Sequence, residues 1–379
     1  MNAFEIDSAI PAGNIVVDRI EGDDVHLHQD LRDTQGFWFY WCFRVRGAQG
    51  RRLTFHFTNG SPVGVRGAAV SLDAGVTWKW QGADAATDKS FVFVFGPEDR
   101  DVRFSMGMPY TQANWGRFLV SVGPHPLLRP MTLCRSRKGR VVEMAYLGKP
   151  SGKVAVRAAV ACRHHCCEMM ANDVLEGLIE ATLFDPACHW MRENAGLMVF
   201  PFVDKDGVED GDQGKNRTPR DHGRDYNDPQ IHPETAAIRA LLPMWGGGLL
   251  RAAIDLHCPY IRGEWNEHIY QVGAESPAAW SEQRRFGAML AACRRGPLPY
   301  DPAKDLASGQ AWNTGANYQG GIGFRRWAGG ITGIRLATGF EIPYANAAGV
   351  EVNAETARAF GRDLAEALGQ HLKESVDPT

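Results

Sequence analysis

The apolar residues of this chain change their spacing near residue 125, and that change constrains the fold more than any other feature. Before it, "GFWFYWCFRVRG" (36–47), "RRLTFHFTN" (51–59), "SLDAGVTWKWQG" (71–82) and "KSFVFVFG" (89–96) alternate apolar with polar side chains. Each run is closed by Gly, Asn or Asp, the residues that turns require. A period of two puts the apolar side chains on one face, so several such strands at close spacing predict a β-sandwich or small barrel. His56, inside one of these runs, reads as an ordinary strand residue.

Pro and Gly thicken through "GMPYTQANWG" (107–116) and "VGPHPLLRPM" (122–131), and we expect a boundary there, with one domain over 1–127 and a second over 128–379. Beyond it, "KVAVRAAVAC" (153–162), "GLMVFPFVD" (196–204), "LLRAAIDLH" (249–257) and "ITGIRLATGFEIPY" (331–344) read as buried strands. "CEMMANDVLEGLIEATLF" (167–184) repeats its apolar residues at helical spacing. "NAETARAFGRDLAEALGQHL" (353–372) reads as a closing helix with Asn353 as its N-cap. Strands alternating with helices predict an α/β domain with a parallel or mixed sheet.

Composition narrows the partners. With 44% hydrophobic and 22% charged residues the chain is ordinary for a globular protein, and a net charge of −3 gives no electrostatic reason to bind nucleic acid or a membrane surface. No apolar run approaches the roughly 20 residues of a membrane-spanning helix. "MNAFEIDSAIPAGN" lacks the basic start and apolar centre of a secretory signal, so a cytoplasmic protein is expected. The 8 cysteines form no CxxC pair and no even framework, and they read as reduced, mostly buried and inert.

Chemistry concentrates in "CRHHCCEMM" (162–170), directly after a buried strand. His165 and Glu168 lie three apart, so one tight turn can aim both at one point, and His257 ends another buried strand in "DLHCP". Two His and one Glu are the ligands of an open catalytic zinc site, in which the ion activates water and polarises a carbonyl. A rival set, His164 or His165 with Cys166 and Cys167, would mimic a structural site, but adjacent cysteines do not comfortably chelate one tetrahedral ion. Between the two metal segments, "KNRTPRDHGRDYND" (215–228) carries Arg217, Arg220 and Arg224 with Asp221 and Asp225. Composition alone leaves this loop as either a solvated charged turn or a clamp for carboxylate and oxyanion groups.

The order "R-x-H-x-x-E", "RDHGRDY", "DLH" and "GFEIPY" resembles the zinc carboxypeptidases of the M14 family, and most nearly the cytosolic carboxypeptidase branch. In that branch a β-sandwich domain precedes the catalytic domain, and "MPYT" (108–111) is similar to a tyrosine-proline motif at the junction. The resemblance covers both domains, is specific in the motifs and is loose between them. It implies a mixed-sheet α/β catalytic domain holding one zinc ion on His165, Glu168 and His257, with a peptide or protein C-terminus as substrate. Asp221 falls where the family bonds a carboxylate to the first histidine. Arg217 is similar in placement to the arginine that stabilises the oxyanion. Arg224 matches the arginine that grips the terminal carboxylate, and Glu341 the general base and acid. His164 reads as structural, and His222 and His232 only as lining the loop.

The chain also departs from the family. Gly223 stands where asparagine usually precedes the carboxylate-binding arginine, and losing one hydrogen bond to a charged group typically costs about 1.5–3 kcal/mol. Cys166 and Cys167 replace the common Pro-Gly pair, and Tyr318, in "NTGANYQGGIGF", is the candidate for the substrate-capping tyrosine. Arg325 and Arg326 are either a cation for an acidic side-chain pocket or a solvated turn. Two readings therefore stand beside a metallocarboxypeptidase: a zinc amidase or deacylase of a small acylated compound, and a catalytically silent peptide binder. Retention of Glu341 with all three ligands argues against the silent binder.

Overall fold

The computed structural model describes residues 4–149, 151 and 153–376. Nine strands come first: β1 (Glu5–Asp7), β2 (Val16–Glu21), β3 (Asp24–His28), β4 (Cys42–Arg46), β5 (Arg52–Phe57), β6 (Ala69–Ser71), β7 (Lys79–Trp80), β8 (Ser90–Val94) and β9 (Asp101–Ser105). They form a five-stranded sheet, β1-β4-β9-β6-β7, and a four-stranded sheet, β2-β3-β5-β8. Pairing is antiparallel except between β3 and β5. Alternation decides which faces meet: Leu53, Phe55 and Phe57 of β5 are buried while Arg52, Thr54 and His56 point outward. Phe55 packs across the gap on Phe43 and Phe104 of the other sheet, with ring centroids 5.4 and 5.3 Å apart. This is the all-β sandwich expected.

The expected strand over 36–47 is only partly one, since ladder pairing begins at Cys42. Residues just before it pair elsewhere. Tyr40 donates its backbone N–H to Gln213 Oε1 at 2.8 Å, and its carbonyl accepts from Gln213 Nε2 at 2.8 Å. One amide side chain thus takes the place of a neighbouring strand, 173 residues away in sequence.

After α1 (Gln112–Val122), seven strands form one mixed sheet: β10 (Leu128–Arg135), β11 (Val141–Leu147), β12 (Val156–Cys162), β13 (Ala195–Phe200), β14 (Leu250–His257), β15 (Tyr270–Gln271) and β16 (Leu336–Glu341). Their order is β10-β11-β13-β12-β14-β16-β15, with β13, β12, β14 and β16 mutually parallel in the middle. Both faces of β12 are covered, which is why its sequence reads as one apolar run. Ala158, Val160 and Cys162 pack on the side of α2 (Met170–Phe184) and the closing helix over 354–376. Ala159 and Ala161 pack on the other side, with Ile238, Leu242 and Phe324. The closing helix starts where expected, Asn353 Oδ1 accepting from the backbone N–H of Thr356 at 3.0 Å. It crosses α2 closely: a Cβ at Gly361 would lie 2.0 Å from the Val174 carbonyl oxygen, and one at Gly177 1.9 Å from that of Arg358.

Candidate metal centre

The parallel neighbours β12, β14 and β16 end at the same sheet edge, with Cys162 opposite Leu256 and His257 opposite Glu341. After β12 the chain turns at Arg163, whose φ of 63° is unusual for a side-chain-bearing residue. Its own guanidinium holds the turn, donating to the Cys166 carbonyl at 2.8 Å, the Tyr110 carbonyl at 2.9 Å and Asn172 Oδ1 at 2.7 Å. That clamp closes the 163–168 loop and aims His165 and Glu168 inward. It also ties the loop to "MPYT".

His165 Nδ1 lies 2.9 Å from Glu168 Oε1, and His257 Nδ1 lies 2.7 Å from Glu168 Oε2. Behind each ring is a carboxylate. His257 Nε2 is 2.8 Å from Asp255 Oδ2, and His165 Nε2 is 3.6 Å from Asp221 Oδ1. Such partners fix which nitrogen faces the centre. Asp255 also meets His164 Nδ1 at 2.7 Å, and His164 Nε2 meets the Tyr226 hydroxyl at 2.7 Å. His164 is therefore occupied on both nitrogens, and the Asp255–His164–Tyr226 chain buttresses His257. Asp255 went unread in the sequence, although a residue two before His257 on a strand shares its face.

Burial opposes charge on these groups and neighbours decide the outcome. Burial alone would raise the Glu168 carboxyl, but His165, Lys215 and His257 hold it well below the ordinary range. Burial would lower His257, but Asp255 and Glu168 hold it well above. Glu341 is pushed up by burial to about 7, against the opposing pull of His257 and Lys215.

His165, Glu168 and His257 fit a divalent ion, since one ligand atom from each lies within 4.8 Å of the others. Buried Asp221 Oδ1 has no hydrogen-bond donor of its own and faces the far nitrogen of His165, so that a proton on Nε2 leaves Nδ1 free to ligate. A second histidine–carboxylate cluster, His222, His232 and Glu234, is less suitable. Its two rings stack 3.6 Å apart at 22°, so their lone pairs lie in nearly parallel planes and one ion cannot sit in both.

A cavity of about 610 Å³ opens onto the centre, lined among others by His165, Lys215, Arg217, Asp221, Gly223, Arg224, His257, Tyr318, Arg325 and Glu341. The expected site residues are thus gathered in one place. Arg224 sits over the Tyr318 ring at 5.1 Å, its nitrogens on the Gly223 and Asn317 carbonyls at 3.1 and 3.3 Å. Gly223 packs against the first histidine so tightly that a Cβ there would lie 2.5 Å from His165 Nε2. Arg325 lines the cavity beside Gly339, whereas Arg326 is exposed and 3.9 Å from Glu275. Cys166 and Cys167 are buried, unpaired thiols turned to the Asp212 carbonyl and the Tyr344 hydroxyl.

Arg217 is placed differently from its expected role. Its guanidinium is bound by Asp33 at 2.9 Å, Asp204 at 2.6 Å and Asp212 at 2.9 Å, so its donors are spent on carboxylates. Lys215, which the sequence reading passed over, instead brings its ammonium to 2.7 Å from Glu168 Oε1.

No protein-family profile matches the chain. Cytosolic carboxypeptidase 2 of Danio rerio is 30% identical over 128 residues, 31% of this chain but only 18% of that protein's length. A metallo-carboxypeptidase from Burkholderia cenocepacia superposes with a TM-score of 0.76 at 21% identity, covering 98% of this chain and 99% of the other. One from Pseudomonas aeruginosa, in complex with (2-guanidinoethylmercapto)succinic acid, gives 0.77 at 21% identity over 98% and 100%. Fold and likeness define the class: this is a metallo-carboxypeptidase fold preceded by a β-sandwich. Within that class the likeness is one of fold, since the solved structures are only 20–21% identical to this chain.

Proposed function

We propose that the chain is a zinc metallocarboxypeptidase that hydrolyses the C-terminal peptide or isopeptide bond of a peptide or protein. The supporting observation is that His165, Glu168 and His257 meet beside buried Glu341, with Arg224 lining the same cavity. A zinc ion on the three ligands supplies Lewis acidity, lowering the pKa of water and polarising the scissile carbonyl. The Glu341 carboxylate takes a proton from the attacking water and returns it to the departing amine. A carboxyl near 7 suits a group that must accept and release that proton at neutral pH. Arg224 presents a planar fork for a terminal carboxylate, steadied by the Tyr318 ring beneath it. A reducing compartment such as the cytoplasm suits the eight unpaired cysteines.

Gly223 favours one alternative, the amidase or deacylase. Its contact with His165 leaves no room for a second side-chain grip on a carboxylate, and a substrate with a blocked end would need none. The test is a peptide library, free or amidated at the C-terminus, incubated with zinc-loaded protein and read by mass spectrometry with a chelator control. Removal of single residues from free ends only, abolished by chelation, supports the carboxypeptidase. Release from amidated ends supports the alternative. Peptide binding without any cleavage, unchanged in Glu341→Gln, would point to a silent binder.

A further inference from the structure

Lys215 puts an ammonium group at the centre of the site. Its Nζ lies 2.7 Å from Glu168 Oε1, its side chain is only 20% exposed, and it lines the cavity with His165, His257 and Glu341. It does not hang free: the Trp38 ring of the sandwich lies 5.2 Å from the ammonium, a cation–π shelf supplied by the other part of the chain.

Other cations line the same cavity, and two of them are held by carboxylates. Arg217 is held by three carboxylates, and Arg220 donates to Asp225 at 2.7 Å and to the Pro229 carbonyl. Arg224 lies over Tyr318, and Arg325 lies beside Gly339, two residues before Glu341. Among the described lysines and arginines that line the cavity, only Lys215 touches the carboxylate of the metal set. A carboxylate that ligated an ion would have less charge to offer a second cation, which would leave this ammonium available to a developing anion in the cavity.

We propose that Lys215, positioned by Trp38, is the catalytic cation that stabilises the oxyanion of peptide hydrolysis, in place of Arg217. Water adds to the carbonyl carbon, its proton passes to Glu341, and the carbonyl π pair moves onto oxygen. The Lys215 ammonium donates a hydrogen bond to that oxygen and keeps its proton throughout. The C–N bond then breaks, Glu341 returns the proton to the amine, and the remaining hydroxyl proton of the new acid also passes to the amine, so that a carboxylate and an ammonium leave. The proposal rests on the hydrolytic reading above, and its test separates the two.

Zinc-loaded wild type, Lys215→Ala, Lys215→Arg, Trp38→Leu and Arg217→Lys are compared on the best peptide of the library. Removing a preorganised oxyanion donor typically costs about 100- to 1,000-fold in kcat. Lys215→Ala should show that loss with KM nearly unchanged, partly reversed by added methylammonium, and Lys215→Arg should retain more activity. Trp38→Leu should lose several-fold alone and nothing further when combined with Lys215→Ala. Arg217→Lys should hold kcat within a few-fold. The second readout needs no turnover: cobalt-substituted protein is titrated with acetate and its visible spectrum followed. Lys215→Ala should bind acetate about tenfold more weakly, as loss of a charge-assisted partner implies. A kcat for Lys215→Ala within threefold of wild type overturns the proposal, as do equal acetate midpoints. If wild type cleaves nothing, the hydrolytic reading fails, and the acetate titration still decides whether Lys215 is the anion-facing cation.

Discussion

Replacing Arg217 with methionine should cost the folded state about 4 kcal/mol at neutral pH. The substitution keeps much of the side-chain volume but removes the cation shared by Asp33, Asp204 and Asp212, whose side chains are 11%, 1% and 16% exposed. In the wild type, burial would raise the Asp204 carboxyl, but Arg217 foremost holds it down at about 2. Without that guanidinium, a buried carboxylate avoids its desolvation penalty by taking a proton. Keeping protonated at pH 7 a group whose ordinary pKa is about 3.9 costs roughly 1.36 × 3.1, or about 4 kcal/mol. Breaking buried ion pairs typically costs about 3–5 kcal/mol, so two routes give one figure. It is a large share of the roughly 5–15 kcal/mol that most folded proteins have.

The pH dependence sharpens this prediction. Depressed Asp204 stabilises the wild type above the ordinary carboxylate range, and that contribution is lost only as pH falls toward about 2. In Arg217→Met the carboxyl is raised instead, so its contribution is present at low pH and lost as pH rises. The deficit should therefore shrink by about 2.7 kcal/mol between pH 7.5 and 5.5, at about 1.36 kcal/mol per unit. Urea denaturation at both pH values, with metal content checked, measures it. A deficit that ignores pH would refute the reasoning. So would unchanged stability accompanied by a hundredfold loss of kcat, which would return the oxyanion role to Arg217.

Asp173, buried on α2 with its carboxyl raised by burial to about 7 against the pull of Arg358, costs stability as pH climbs from the ordinary carboxylate range to that value. Asp173→Asn should therefore flatten the fall in stability between about pH 5 and 7 by up to about 1.4 kcal/mol per unit, and parallel wild-type and variant curves from urea midpoints would count against it. Gly361→Ala should destabilise by about 1–3 kcal/mol despite alanine's better helix propensity, because its Cβ would press on the Val174 carbonyl; a rise in melting temperature would show that the helices can part freely. Glu341→Gln should keep one zinc per chain by metal analysis while losing about 100- to 10,000-fold in peptide trimming, and loss of the metal would make Glu341 a ligand and not a base.

The convergence of His165, Glu168, His257 and Glu341 was legible because all four stand at or just past the ends of apolar runs, and parallel strands bring such ends to one edge. Nothing comparable distinguishes Lys215 from Arg217. They lie two residues apart in the same polar loop, and which one turns inward depends on Asp33, Asp204 and Asp212, spread over 180 residues. Charge in a loop tells a reader that partners exist without telling where they are. The strand ending at Arg46 was overextended for the same reason: an apolar alternation cannot reveal that the partner of Tyr40 is a distant glutamine.

That glutamine changes what a boundary between the two parts means. Gln213 gives both ends of its amide to the backbone of one residue of the sandwich, Tyr40, and two residues later the chain supplies Lys215 beside Trp38. The sandwich is in effect a wall of the cavity and not an appendage beside it. A hybrid joining this catalytic part to a relative's β-sandwich would inherit a misplaced wall unless the graft also brought a backbone matched to Gln213, an aspartate for Arg217 and an aromatic ring for the ammonium. The seam suited to recombination lies inside the loop that carries the cations, even though the chain crosses from one part to the other nearly 90 residues earlier.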